Sequence, residues 1–105
     1  MTRKNNYSQP RRDDRIPMEI PVVLEGNRHL PGVESTFTEN VSARGARVVS
    51  IRHWEKDTEL MLASRTGEFR SSARVAYCHP LHGDGYAVGL EFLEPQGRWV
   101  VESAN

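Results

Sequence analysis

The 105 residues carry 14 Lys+Arg against 14 Asp+Glu, with 37% hydrophobic and 27% charged residues, which fits one domain with a modest core and zero formal net charge. A neutral total argues against generic, charge-driven binding to nucleic acid or to a membrane surface. One cysteine, Cys78, rules out an intrachain disulfide and a thiolate metal cluster, and no apolar run approaches the roughly 18 residues that would span a bilayer.

The neutral total hides an uneven distribution. Residues 1–15 carry Arg3, Lys4, Arg11, Arg12 and Arg15 against Asp13 and Asp14, a charge of +3, and residues 16–105 carry nine basic and twelve acidic residues, a charge of −3. This first stretch holds too little apolar surface to repay ordering and is expected to be a flexible basic arm. It contains no apolar leader, so a soluble, cytoplasmic protein is expected.

From residue 16 the pattern changes to period two. In IPMEIPVVLEG, Met18, Ile20, Val22 and Leu24 share a face, and Pro17 and Pro21 suit an edge or the start of a strand. Residues 33–41, ARVVSI after Gly45, and TELMLA at 58–63 read as the next three strands. GEFRSSARVAY alternates most clearly, placing Phe69, Ser71, Ala73, Val75 and Tyr77 against Arg70, Ser72, Arg74 and Ala76. The turn residues HPLHGDG lead into YAVGLEF, where Tyr86, Val88, Leu90 and Phe92 share a face. Six short strands with turns about every ten residues predict an all-β fold, a small antiparallel barrel or sandwich. The closing LEPQGRWVVESAN is expected to form a short helix starting near Pro95, against which Gly97 counts.

Two groups of residues carry chemistry. Arg11 and Arg15 stand four apart, and guanidinium groups pair with phosphate oxygens and stack on flat rings. Asn40, Ser42 and Gly45 follow within a strand-to-strand connection. Asn40 and Ser42, two apart in extended chain, present an amide and a hydroxyl to one side. A plain solvated tail and a plain turn are the alternative readings of the two groups. Cys78, His79 and His82 form a superficial ligand pattern with no second cluster to complete a metal site, and no nucleophile or positioned acid points to an enzyme. Trp54 and Trp99 read as packing residues or a partner-facing patch.

Together, Arg-x-x-x-Arg and, 24 intervening residues later, Asn-x-Ser-x-x-Gly within a six-stranded β pattern resemble the PilZ domain family. The resemblance extends over Arg15-Ile16-Pro17, Ala73-Arg74-Val75 and Val88-Gly89-Leu90-Glu91-Phe92, nearly the whole chain. It implies a six-stranded antiparallel β-barrel over 16–105 with a short C-terminal helix, preceded by the arm at 1–15, and a receptor for cyclic di-GMP. By position, Arg11 and Arg15 would bind phosphates and stack on or bond the guanines. Asn40 and Ser42 would bond guanine edges, and Gly45 would permit close approach. Arg12 and Arg74 are candidate further contacts. In the family an Arg just before the first motif favours an intercalated ligand pair; Pro10 stands there in this chain, which favours a single ligand. No catalytic residue, metal or cofactor is implied. The expected partner is a protein effector, with no nucleic acid and no membrane insertion. The alternative is a PilZ-fold interaction module that works without the nucleotide. A base-stacking nucleic-acid binder is disfavoured because most of the aromatic residues fall on presumed inward faces.

Overall fold

A computed structural model describes residues 14–102. Arg11, Arg12 and all of the expected N-terminal arm except Asp14 and Arg15 lie outside the described residues. Eight strands follow in order: β1 (Ile16–Pro17), β2 (Pro21–Glu25), β3 (Val33–Ser42), β4 (Gly45–Ser50), β5 (Glu59–Ser64), β6 (Phe69–Pro80), β7 (Tyr86–Phe92) and β8 (Gln96–Gly97). All pairings are antiparallel. The ladder runs β3–β2–β5–β6–β7–β4, and β4 pairs back onto β3, closing a six-stranded barrel with no free sheet edge in the ring. Among the described residues, no helix is long and apolar enough to cross a membrane.

Alternation fills the barrel. Val22, Leu24, Val41, Val48, Leu62, Ala73, Val75 and Val88 have no solvent exposure, and the neighbours of most of them along each strand face outward. Trp54, from the connection between β4 and β5, is also fully enclosed and donates its indole N–H to the Ser50 hydroxyl at 3.0 Å. Packing as a core residue is therefore its observed role.

The first expected strand is interrupted. β1 and β2 lie along the same side of β3, with Ile16 opposite Val41 and Pro21 opposite Phe37, but residues 18–20 leave the ladder where β3 bulges between Thr38 and Asn40. Thr38 stitches the gap: its hydroxyl donates to the Met18 carbonyl at 2.7 Å and accepts from the Ile20 amide at 2.9 Å. The bulge breaks the period, so Met18 is exposed while Val22 and Leu24 stay inside.

A second bulge, between Val75 and Tyr77, changes the reading of β6. Phe69, Ser71, Ala73 and Val75 face the core as expected. Beyond the extra residue Tyr77 turns outward, and Cys78 packs against the core, its sulfur accepting the Trp54 amide at 3.4 Å. Among the described residues no group of three metal-ligating side chains converges, so Cys78, His79 and His82 form no metal site there.

The expected C-terminal helix is absent from residues 93–102. Gly97 sits at φ +91° and, with Gln96, forms β8 against Phe69 and Arg70 of β6. A left-handed residue is incompatible with a helix interior, and the Glu68 carbonyl fills the space that a Cβ at Gly97 would need. The segment then delivers Trp99 into the barrel end, tilted against Phe69 with ring centroids 4.7 Å apart and edge-on to Phe92 at 5.1 Å.

Candidate ligand-binding cleft

The outer face of β3, β4, β7 and β6 carries the candidate residues in register. One row runs Ser42, Gly45, Glu91, Arg74, each opposite the next across a ladder. The adjacent row runs Asn40, Arg47, Gly89, Tyr77. Residues more than 30 positions apart in the chain thus become lateral neighbours, and Asn40 and Ser42 share a face as their spacing requires.

The Ala43–Arg44 turn that joins β3 to β4 is held at three points. The Trp99 indole donates to the Ser42 carbonyl at 2.9 Å, the Phe92 amide donates to the Arg44 carbonyl at 2.8 Å, and Gly45 packs directly on the Leu90 carbonyl. Gly45 does not occupy the left-handed region. Its missing side chain makes room for β7, because a Cβ there would overlap the Leu90 oxygen. The close approach expected of Gly45 is thus made by the protein's own backbone. The Ser42 side chain is buried yet weakly engaged: its hydroxyl donates to the Gly45 carbonyl and accepts from the Arg44 amide, both at 3.4 Å. Bonds that long are weak and easily exchanged for a better partner.

Pairing of Ile16 with Val41 brings Arg15 level with Ser42. The Arg15 guanidinium donates to the Asn40 side-chain oxygen at 2.9 Å, joining the two sequence motifs through one hydrogen bond. Arg15, Ser42, Arg44, Gly45, Arg74, Ala76, Leu90 and Glu91 enclose an open cleft of about 460 Å³. Arg15, Ser42, Gly45 and Arg74, four of the expected residues, meet there, and Asn40 flanks it through Arg15.

The charges in the cleft are not equivalent. Arg74 donates from Nε and Nη2 to Glu91 Oε1 at 3.0 and 2.6 Å, and from Nη1 to Asp57 at 2.7 Å. These bonds, to Glu91 first and then to Asp57, raise its pKa above the ordinary arginine value. Arg15 and Arg44 make no ion pair among the described residues. Among the described residues that line the cleft, three guanidiniums face one carboxylate, a net positive lining suited to an anion with hydrogen-bonding edges.

Arg44 and Glu91 were not singled out by the sequence reading. Arg44 occupies an unspecified position of Asn-x-Ser-x-x-Gly, where nothing marks it. Glu91 alternates with inward Leu90 and Phe92, so its outward direction was legible, but its place beside Gly45 needs the β4–β7 pairing. Arg47 and Tyr77 also escaped: the Arg47 guanidinium donates to Glu39 at 2.8 Å and lies 5.8 Å from the Tyr77 ring centre, and Tyr77 stacks on His79 at 4.7 Å.

No curated protein and no solved structure matches this chain. The family model of the PilZ domain matches residues 9–98, a span that takes in both motifs, every strand of the barrel and the cleft between them. With that match over most of its length, the chain belongs to the PilZ domain family.

Proposed function

We propose that this protein is a cyclic di-GMP receptor that passes the signal to a protein partner. PilZ domains are a family of cyclic di-GMP receptors that serve as binding and adaptor modules. The observation that carries the reading is the Arg15–Asn40 hydrogen bond at the mouth of a cleft lined by Ser42, Gly45, Arg44 and Arg74. Cyclic di-GMP presents two phosphates and two guanines. Arg15, with Arg11 from the segment before it, supplies guanidiniums for phosphate and for guanine O6 and N7, while Asn40 and Ser42 supply short polar groups for base edges. Arg12 and Arg74 stand as further contacts. Ligand held by both arginines would fix the segment before β1 against the β3–β4 turn, and the surface so formed is what a partner reads.

Isothermal titration of the intact chain with cyclic di-GMP tests the reading, with GTP and ATP as controls. Saturable binding is expected for cyclic di-GMP alone. A charge-assisted hydrogen bond is worth about 1.5–3 kcal/mol, so Arg15→Ala is expected to weaken binding by at least about tenfold. Absence of binding at about 100 μM, an affinity of roughly 5.5 kcal/mol, would overturn the proposal.

A further inference from the structure

Glu91 is an unexpected group in an anion-binding cleft. Among the described residues that line it, Glu91 alone carries a carboxylate, and that carboxylate would repel a phosphate. The surroundings nevertheless hold it in place. Arg74 is committed to Glu91 Oε1 through two donors, and Asp57 takes its third. Asp57 is the only non-glycine residue at positive φ (71°) among the described residues, and its amide is tied to the Val75 carbonyl at 2.7 Å. The result is a relay, Asp57 to Arg74 to Glu91, on the outer face of β6 and β7. Oε1 is occupied, whereas Oε2 has no partner among the described residues, and the side chain is 45% exposed toward the cleft it lines.

A carboxylate accepts hydrogen bonds and donates none. Guanine offers two adjacent donors, N1–H and the 2-amino group, to such an acceptor. Adenine offers an unprotonated N1 and a C2–H at the same edge, which a carboxylate cannot bond. The amide oxygen of Asn40 is already engaged by Arg15, and the Ser42 hydroxyl, which lines the cleft, can donate as well as accept and so meets either base equally. We infer that Glu91, oriented by Arg74, is the residue through which this cleft selects guanine over adenine. The inference rests on the receptor reading above and adds to it the group that reads the base.

The test titrates the full chain, Glu91→Gln and Glu91→Ala with cyclic di-GMP and with its adenine counterpart, cyclic di-AMP. Wild type is expected to prefer the guanine ligand. Either substitution should lower cyclic di-GMP affinity by at least about tenfold, the worth of one hydrogen bond to a charged group, and leave cyclic di-AMP binding equal or stronger. The ratio of the two affinities is the readout, because a carboxylate that only steadied Arg74 or only repelled phosphate would move both ligands together. An unchanged ratio in both variants overturns the inference, as does a wild-type chain that binds the two ligands equally; both leave the receptor reading intact. Binding of neither ligand by wild type overturns the receptor reading and this inference with it. Thermal melts of both variants identify any loss of binding that comes from unfolding.

Discussion

Two glycines on the outer face show how single atoms set the shape of this cleft. At Gly45 the Leu90 carbonyl occupies the position a Cβ would take, and backbone cannot swing aside as a side chain can. Gly45→Ala is therefore expected to cost about 1–3 kcal/mol, the range for forcing an extra methyl into packed structure, measured as a lower urea midpoint. The Tyr77 ring covers Gly89 in the same way, but a ring can rotate off. Gly89→Ala is expected to cost less than Gly45→Ala and to alter Tyr77 fluorescence as the ring leaves its place beside Arg47. The glycine in Asn-x-Ser-x-x-Gly was legible as special. The reason was not, because its crowding comes from a strand 45 positions downstream.

At the level of elements, the β3–β4 turn depends on the C-terminal segment that crosses the barrel end. Trp99 closes an aromatic cluster with Phe69 and Phe92 and supplies the buried partner of the Ser42 carbonyl. Trp99→Ala should cost about 3–5 kcal/mol, as for other large aromatic truncations. Trp99→Phe keeps a ring but leaves the Ser42 carbonyl unpaired, for about 1–3 kcal/mol. Chemical denaturation of the two variants against wild type gives both figures. The expectation of a helix here failed on one residue: Gly97 uses its freedom at positive φ to pair with β6 rather than to end a helix. The two bulges were equally hidden. A bulge adds one residue to one strand of a pair, so it shows only when both strands are aligned, and in β6 it moved Tyr77 from the expected inner face to the outer one.

Across the whole molecule, closure separates two ends with different roles. The cleft lies where β3 turns into β4. At the opposite end of those strands, buried Glu34 accepts from the Ser50 hydroxyl at 2.7 Å and the Ile51 amide at 2.8 Å, and Arg52 lies over the Trp54 ring at 4.8 Å. Along β3 the two ends are about 26 Å apart at roughly 3.3 Å per residue, beyond the range of direct coupling. Glu34→Ala is thus expected to cost at least about 2 kcal/mol, from the donors left without a partner. It should leave cyclic di-GMP affinity unchanged, and paired denaturation and titration experiments check both halves of that statement.

Much of this protein was written in its sequence. Period-two alternation marked the first and the last two of the six barrel strands, since a half-buried strand must alternate wherever it lies, and short runs between turn residues marked the other three; the first, expected unbroken from residue 16, is divided into β1 and β2. The motif spacing singled out Arg15, Asn40, Ser42 and Gly45 as a group, which the fold brings to one face, and the outward direction of Arg74 followed from its apolar neighbours. The uneven charge, +3 before residue 16 and −3 after it, marked a basic stretch of sequence although the total is zero. Tertiary structure decided what lies beside what. Ladder register placed Glu91 between Gly45 and Arg74, tied Arg15 to Asn40, and set Trp99 beneath the turn. These are contacts between strands distant in the chain, fixed by barrel closure and by bulges, and no local pattern of residues encodes them.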